Sequence, residues 1–148
     1  MKKIFTIPVL IFLSFLTIAC NKPPAVEDGR VHEDGVYRGG FIDKDSIQVN
    51  VEFKLKDGVV TGASFRHLRR DGDYHLTTEE EPYRSVVQQY EEALSHLVGK
   101  EIETHLSDLY EPQNIVTTKV DGYTAATLRS NKIISAVRDA LNRGVYSY

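Results

Sequence analysis

The sequence predicts an α+β domain in which helices pack on a largely antiparallel sheet. Residues 47–55 alternate strictly between apolar and polar side chains, and a turn and a further strand-like segment follow. This pattern predicts a β-hairpin at residues 47–67. Apolar residues then recur at three- and four-residue spacing after Pro82 and again in residues 130–142, which predicts two amphipathic helices. The resulting order of strand, hairpin, helix, helix, strand and helix is the basis of the fold-class prediction.

Residues 1–19 have the layout of a lipoprotein signal peptide. Lys2 and Lys3 precede an apolar run over residues 4–18 that is too short to span a membrane comfortably. The run ends in L-T-I-A-C, which resembles the processing site of bacterial lipoproteins. Cys20 is therefore the expected lipidated first residue of the mature chain. The alternative is ordinary cleavage that leaves a free thiol at this position.

The mature chain is expected to consist of a tether and one domain. Residues 20–34 contain two prolines and little apolar periodicity, which predicts a flexible tether, and residues 35–148 have an ordinary size for one domain. Cys20 is the only cysteine, so the fold must be stabilised by packing rather than by an internal disulfide. Removal of the signal takes the formal net charge from −3 to −5. An acidic chain of this kind argues against binding to nucleic acid.

The first part of the domain is predicted to form three strands. Residues 35–41 form a weak strand whose paired glycines, Gly39 and Gly40, suggest a β-bulge. Residues 47–55 form a strand with one buried face, and the turn at Lys56-Asp57-Gly58 leads into the next strand. A two-residue loop would place against the apolar face of the first hairpin strand Val60, Gly62, Ser64 and Arg66. A three-residue loop would pair apolar residues of the two strands at most positions, so this is the loop that the sequence predicts. It brings to that face Val59, Thr61, Ala63 and Phe65.

Helices dominate the second part of the domain. The most clearly defined helix begins at Pro82 and ends at Gly99. Residues 102–110 carry a shorter apolar stripe, which predicts a second helix. Residues 115–120 are rich in valine and threonine and are predicted to form another strand. Residues 130–142 form the last helix. The apolar stripe of the first helix consists of Tyr83, Val86, Val87, Tyr90, Leu94, Leu97 and Val98.

Residues 121–131, which read D-G-Y-T-A-A-T-L-R-S-N, combine small side chains and hydroxyl groups directly ahead of the last helix. Small side chains let the backbone lie close to a ligand. The start of a helix, with its free N–H groups and positive dipole end, favours an anion such as phosphate. Thr127 is therefore either a helix cap or an attachment point for a cofactor, and the residues alone leave both interpretations open.

This motif resembles one in a known flavoprotein family. The small FMN-binding domains of the C subunit of sodium-translocating NADH:quinone oxidoreductase and of the G subunit of the Rnf complex carry D-G-x-[S/T]-G-A-T, then L-T-S-N and an amphipathic helix. Residues 35–143 are similar to those domains, including an early G-x-Y-x-G strand and the K-D-G hairpin. Ala125 stands where the pattern has glycine, and Arg129 where threonine is common. The matching positions are Asp121, Gly122, Thr124, Ala126, Thr127, Leu128, Ser130 and Asn131.

The resemblance implies that residues 35–148 form an FMN-binding domain. In relatives with covalent flavin, a flavin transferase takes FMN from FAD and joins its phosphate to the last threonine of the motif by a phosphoester bond. By position, that threonine is Thr127. Tyr123 is the aromatic residue best placed to touch a flavin ring. The other implied cofactor-binding residues are Asp121, Gly122, Thr124, Ala125, Ala126, Leu128 and Ser130.

The expected function is that of an extracytoplasmic electron carrier tethered to a bacterial membrane. Its expected partners are redox proteins of the cell envelope, a flavin transferase and the membrane itself. The alternative from a different class is a flavin-free envelope lipoprotein that binds another protein through the hairpin or through residues 66–73. No residue is assigned a catalytic role, and a flavoenzyme with its own substrate would need an acid, a base and a pocket that the sequence does not identify. No metal site is predicted, since metal-ligand spacing is lacking among His67, His75, His96 and His105.

Overall fold

The computed structural model describes residues 31–44, 46–71, 74–119 and 129–147. Within these residues, four strands form one antiparallel sheet in which they lie in the order of the chain. The helices pack against this sheet, which confirms the predicted α+β class. Two short 3₁₀ turns, Leu106–Tyr110 and Pro112–Asn114, follow the second helix. The strands are β1 (Gly35–Asp43), β2 (Ile47–Lys56), β3 (Val59–Arg70) and β4 (Tyr74–His75), and the helices are α1 (Tyr83–Ser95), α2 (Ile102–His105) and α3 (Asn131–Arg143).

The predicted signal peptide, Cys20 and most of the predicted tether lie outside the described residues. The last four residues of that tether, 31–34, contain bends but neither helix nor strand. Among the described residues, none of the helices combines the length and the apolar character that crossing a membrane requires.

β2 provides the centre of the hydrophobic core. Its strict alternation in sequence becomes a strict alternation in burial, because every second side chain points to the face that the helices cover. α3 packs on that face against β1, and α1 packs on it against β3. The buried side chains of β2 are Ile47, Val49, Val51, Phe53 and Leu55.

The hairpin turn differs from the prediction. Lys56 pairs directly with Val59, so the loop contains two residues rather than three. Asp57 has a φ of +53° and Gly58 a φ of +76°, and positive φ at both loop positions is the geometry of a type I′ turn. The backbone twist of this turn matches the twist of the flanking strands, which favours it over a longer loop.

Two register shifts between β2 and β3 bring apolar residues of β3 to the buried face. The three-residue loop was predicted for the same purpose. The first shift lies between Lys54 and Leu55, and it brings Ala63 opposite Phe53. The second lies between Asn50 and Val51 and brings Leu68 onto the buried face. Each shift adds one residue on β3 and so reverses which side chains face the core. The predicted placement of Ala63 is therefore confirmed, although the loop length that predicted it was wrong.

The bulge suggested for the paired glycines of β1 was also wrong, because β1 pairs with β2 without any register shift. Gly39 instead allows α3 to approach the sheet closely. A Cβ atom at Gly39 would lie 2.3 Å from the carbonyl oxygen of Ala136 and 2.3 Å from the backbone nitrogen of Ala140. Since real Cβ atoms do not approach other heavy atoms so closely, only glycine fits where α3 crosses β1.

The helices bury most of the residues that the periodicity selected, but Tyr83 is only partly buried and two others are exposed. α1 begins one residue after Pro82, and the turns that follow it end at Gly99, whose φ is +81°. Val98 is 42% exposed and Tyr110 is 55% exposed, so neither belongs to the core. α3 begins at Asn131, one residue after the predicted start, and its buried residues are Ile133, Ile134, Ala136, Val137 and Ala140.

The strand predicted for residues 115–120 is absent from the part that the structure describes. Residues 112–114 form a 3₁₀ turn, and residues 116–119 adopt no regular structure. Val120 lies outside the described residues. Val116 is buried, so the apolar content of the segment contributes to the core without forming a strand. The hydrogen bonds that replace strand pairing come from α1 and belong to the candidate site.

The outer edge of β1 is covered by the end of the chain. The backbone N–H of Gly40 donates to the carboxylate of Asp139 over 2.9 Å, and Arg143 Nε lies 2.9 Å from the same carboxylate. The backbone N–H of Tyr146 donates to the carbonyl of Val36 over 2.7 Å. These contacts satisfy two of the backbone groups of β1, which is an edge strand of the sheet.

Replacement of Asp139 by asparagine should lower the free energy of unfolding by about 1 kcal/mol at neutral pH. Burial raises the pKa of Asp139, but the hydrogen bonds from Gly40 and Arg143 outweigh it and hold the pKa below its usual range. A lowered folded-state pKa means that the stabilisation is complete above the unfolded pKa of about 4 and is lost as the pH falls through the folded pKa. Urea unfolding at several pH values should therefore show wild type and Asp139→Asn converging in acid.

The control for this prediction is Arg143→Gln. The Arg143 side chain is 69% exposed, so loss of the ion pair alone should change stability by less than about 0.5 kcal/mol. A difference between wild type and Asp139→Asn that persists unchanged below about pH 3 would show that the carboxylate charge is not responsible.

Candidate functional site

The glycine- and threonine-rich motif lies between two anchored flanks. Residues 120–128 are outside the described part of the chain, so the site residues predicted there, Asp121 to Ala126, Thr127 and Leu128, stay predictions. Both flanks are described, and so is Ser130. The described part of the site therefore consists of the residues that enter and leave the motif.

The entering flank is held by two side chains of α1. One carboxylate oxygen of Glu92 accepts the backbone N–H groups of Thr117, over 2.6 Å, and of Thr118, over 3.1 Å. The other oxygen of Glu92 accepts the hydroxyl of Thr118. The side-chain amide of Gln89 donates to the carbonyl of Thr118 over 2.9 Å. These bonds occupy the backbone groups that a neighbouring strand would otherwise pair with, which explains the missing strand.

The electrostatics of Glu92 follow from these contacts. Burial raises the pKa of Glu92, but the Thr118 hydroxyl and the two backbone N–H groups outweigh it, so the pKa lies below its usual range. The carboxylate is thus charged at neutral pH and accepts strong, charge-assisted hydrogen bonds. Gln89 is 1% exposed and satisfies its buried amide with a backbone carbonyl.

Sequence reasoning missed both of these residues. Gln89 lies three positions after Val86 and so falls on the buried face of α1, where a polar side chain needs a specific partner. This interruption of the apolar stripe is the signal that the sequence offered. Glu92 has no comparable signal, because a glutamate at the edge of an amphipathic helix is usually solvated.

The leaving flank is anchored by Ser130. This residue is 3% exposed, and its hydroxyl donates to the backbone carbonyl of Leu109 in the first 3₁₀ turn. The Ser130 side chain makes no capping hydrogen bond to α3. Its hydroxyl therefore ties the start of α3 to the neighbouring turn, and its predicted contact with a cofactor stays a prediction.

The start of α3 is electropositive. Its first turn contains no acidic side chain, and Arg129 and Lys132 lie at this end of the helix. Lys132 Nζ lies 3.0 Å from the carboxylate of Asp43 and 4.4 Å from the centre of the Phe41 ring. The hydrogen bond from Lys132, together with its charge, lowers the pKa of Asp43. Two cations and the positive dipole end of α3, offset by one carboxylate, suit a phosphate group carried by the adjacent motif.

The remaining candidate residues are part of the scaffold. Tyr90 is buried, as predicted, and packs edge-on against Phe65 with ring centres 6.3 Å apart. Arg69 lies 2.5 Å from Asp71 and forms an ion pair with it. Within the described ranges, no three histidine, cysteine or acidic residues are arranged to hold a metal ion. His96, for example, bonds to Asp108 over 2.9 Å.

Comparison with known proteins identifies the domain type. A family model described as FMN-binding domain matches residues 44–142. No curated protein and no solved structure matches the chain. The matched range contains the motif, both anchored flanks, the whole of α1 and nearly all of α3, whereas Asp43 and Phe41 beside Lys132 precede its first residue.

Proposed function

The chain belongs to the FMN-binding domain family, and its cofactor is FMN; from this premise we propose that it is a lipid-anchored, extracytoplasmic electron carrier that holds its flavin covalently on Thr127. The single observation that carries the proposal is the family match across residues 44–142, a range that contains residues 121–127, where the sequence resembles the family's threonine motif. A protein-bound flavin can pass electrons between other proteins, and this is the role that we propose.

The residues near α3 fit the phosphate end of FMN. The Thr127 hydroxyl oxygen would lose its proton and bond to the FMN phosphorus of FAD, while the pyrophosphate bond breaks and AMP leaves. The start of α3, with Arg129 and Lys132, would stabilise the negative charge of the phosphate. Bound FMN supplies the redox chemistry. The protein holds the flavin, orients it and sets its exposure to partners.

The proposed location follows from the start of the sequence. Lys2, Lys3 and the apolar run up to Ala19 would direct export, and Cys20 would carry the lipid. One acyl chain binds a membrane with an association constant of only about 10⁴ M⁻¹, so firm retention requires more than one chain on Cys20. A carrier held at the membrane surface meets envelope redox proteins by diffusion in two dimensions.

Intact-mass spectrometry of protein purified from its native envelope tests the proposal in one measurement. The expected spectrum shows a chain that begins at Cys20 with mass added by lipid and by one FMN. The yellow colour should survive denaturation and precipitation, because a phosphoester bond does not depend on the fold. Peptide mapping should place the flavin on the peptide that contains Thr127.

Production of residues 20–148 with and without a flavin transferase provides the control. Protein made with the transferase should be yellow after denaturation, and protein made without it should lose all flavin on denaturation. A colourless, unmodified chain in the presence of an active transferase would overturn the covalent attachment. An FMN that dissociates on denaturation would leave flavin binding in place and remove Thr127 as the acceptor.

A further inference from the structure

We infer that Glu92 and Gln89 are positioning residues for the flavin site, because they fix the direction in which the chain enters the motif. This inference rests on the proposed function, since it concerns the same site. It assigns to α1 a role that neither the motif nor the apolar stripe of the helix indicates. The pair formed by these two side chains is called the α1 clamp below.

The α1 clamp fixes three successive peptide planes. The N–H of Thr117, the N–H of Thr118 and the carbonyl of Thr118 belong to three consecutive peptide units, and each of them has a partner on α1. Because each peptide unit is planar, holding three in a row removes the free rotation of the backbone between them. The orientation of the chain is thereby set immediately before residues 120–128.

The clamp uses interactions stronger than those of ordinary loop packing. Glu92 accepts hydrogen bonds from the backbone N–H groups and the side-chain hydroxyls of both Thr117 and Thr118, and hydrogen bonds to a charged acceptor contribute more than neutral ones. Gln89 is almost completely buried, so its amide orientation is fixed by the surrounding core. Both side chains project from a 13-residue helix packed on the sheet. The flank is thus attached to a helix that packs on the sheet.

The other end of the motif is fixed by the Ser130 hydroxyl, which donates to Leu109. With both ends held, less conformational entropy remains to be lost when the motif takes up a cofactor. Loosening one end raises that cost. The α1 clamp should therefore affect flavin uptake even though its residues need not touch the flavin.

The test compares Glu92→Gln with Glu91→Gln. Both changes remove one carboxylate from neighbouring positions of α1, but Glu91 is half exposed and pairs only weakly with Arg84, at 3.6 Å. In Glu92→Gln, the negative charge is lost and an NH₂ group replaces one acceptor oxygen, so the flank loses one acceptor and its remaining hydrogen bonds are no longer charge-assisted. Hydrogen exchange at the Thr117 and Thr118 amides of the flavin-free protein should speed up about tenfold in Glu92→Gln and stay unchanged in Glu91→Gln.

Flavin uptake gives the second readout. With FAD and a flavin transferase, the apparent KM for Glu92→Gln as acceptor should rise about tenfold, while kcat changes less, because the flank is less often in its binding conformation. Thr118→Val removes only the hydroxyl donor and should give a smaller change in the same direction. It keeps the experiment informative if Glu92→Gln fails to fold, which thermal unfolding would reveal.

The outcomes separate this inference from the proposed function. Equal exchange rates in Glu92→Gln and Glu91→Gln would overturn the inference, and so would faster exchange with unchanged flavin uptake. If wild-type protein accepts no flavin at all, the proposed attachment fails. The exchange rates alone then decide whether the α1 clamp orders the chain that enters the motif.

Discussion

Replacement of Gly39 by alanine should destabilise the domain by about 3 kcal/mol or more, the upper range for inserting atoms into a packed core. The added methyl group would lie 2.3 Å from backbone atoms of Ala136 and Ala140, and 2.8 Å from the Cα of Ala140. These atoms belong to the main chain of α3, so no side-chain rotation relieves the overlap. α3 must move away from β1, and buried residues on both elements lose contacts.

Gly62→Ala is the matched control for this prediction. Gly62 also lies in a strand, but a Cβ atom there would meet nothing within 4 Å. The variant should be as stable as wild type within about 0.5 kcal/mol. Urea unfolding followed by circular dichroism measures both variants. If Gly39→Ala and Gly62→Ala unfold at the same urea concentration, the close approach of α3 to β1 does not determine stability.

The same glycine shows where sequence reasoning reaches its limit. The alternation of β2 and the stripes of α1 and α3 were predictable because burial on one face imposes a period on the sequence. Gly39 was instead interpreted as a bulge, since a glycine in a strand has several causes. Only the position of α3, which is distant in the sequence, shows which cause applies.

The prediction of the hairpin loop length was wrong for a related reason. The choice between loop lengths compared uninterrupted registers, and in that comparison only the three-residue loop placed Ala63 and Phe65 on the apolar face. The chain uses a two-residue turn and corrects the face with register shifts. A shift of this kind leaves no mark in the periodicity other than a change of phase. Val60 and Phe65, both buried but five residues apart, show that change in β3.

The candidate site, too, was predictable from the sequence only in part. The motif was found because a resemblance links residues 121–131 to a known family, and the family match confirms the domain type. The flank at residues 115–119 was predicted as a strand because valine and threonine favour strands. That preference was overridden by Glu92 and Gln89, whose side chains bind the backbone of Thr118 directly. Contacts between a helix and a segment more than 20 residues away are invisible to local patterns.

Thr127→Val should abolish the flavin that survives denaturation, which is the largest effect expected of any single substitution in this chain. Valine has nearly the shape of threonine but no hydroxyl, and a phosphoester bond needs that oxygen. Thr127→Ser keeps the hydroxyl and should keep the attachment. In-gel flavin fluorescence after denaturation, with the mass of the intact protein, distinguishes the variants.

Thr124→Val removes the other threonine hydroxyl of the motif, three residues earlier, and so tests whether that oxygen is the acceptor instead. Any flavin that Thr124→Val takes up should be covalently bound if Thr127 is the acceptor. Thr127→Val should still bind FMN reversibly, since the start of α3, Arg129 and Lys132 remain available for the phosphate. Covalent flavin in Thr127→Val, or its loss in Thr124→Val alone, would move the acceptor to another residue. Complete loss of flavin binding in Thr127→Val would instead show that the threonine is needed for the shape of the site, as expected of a helix cap.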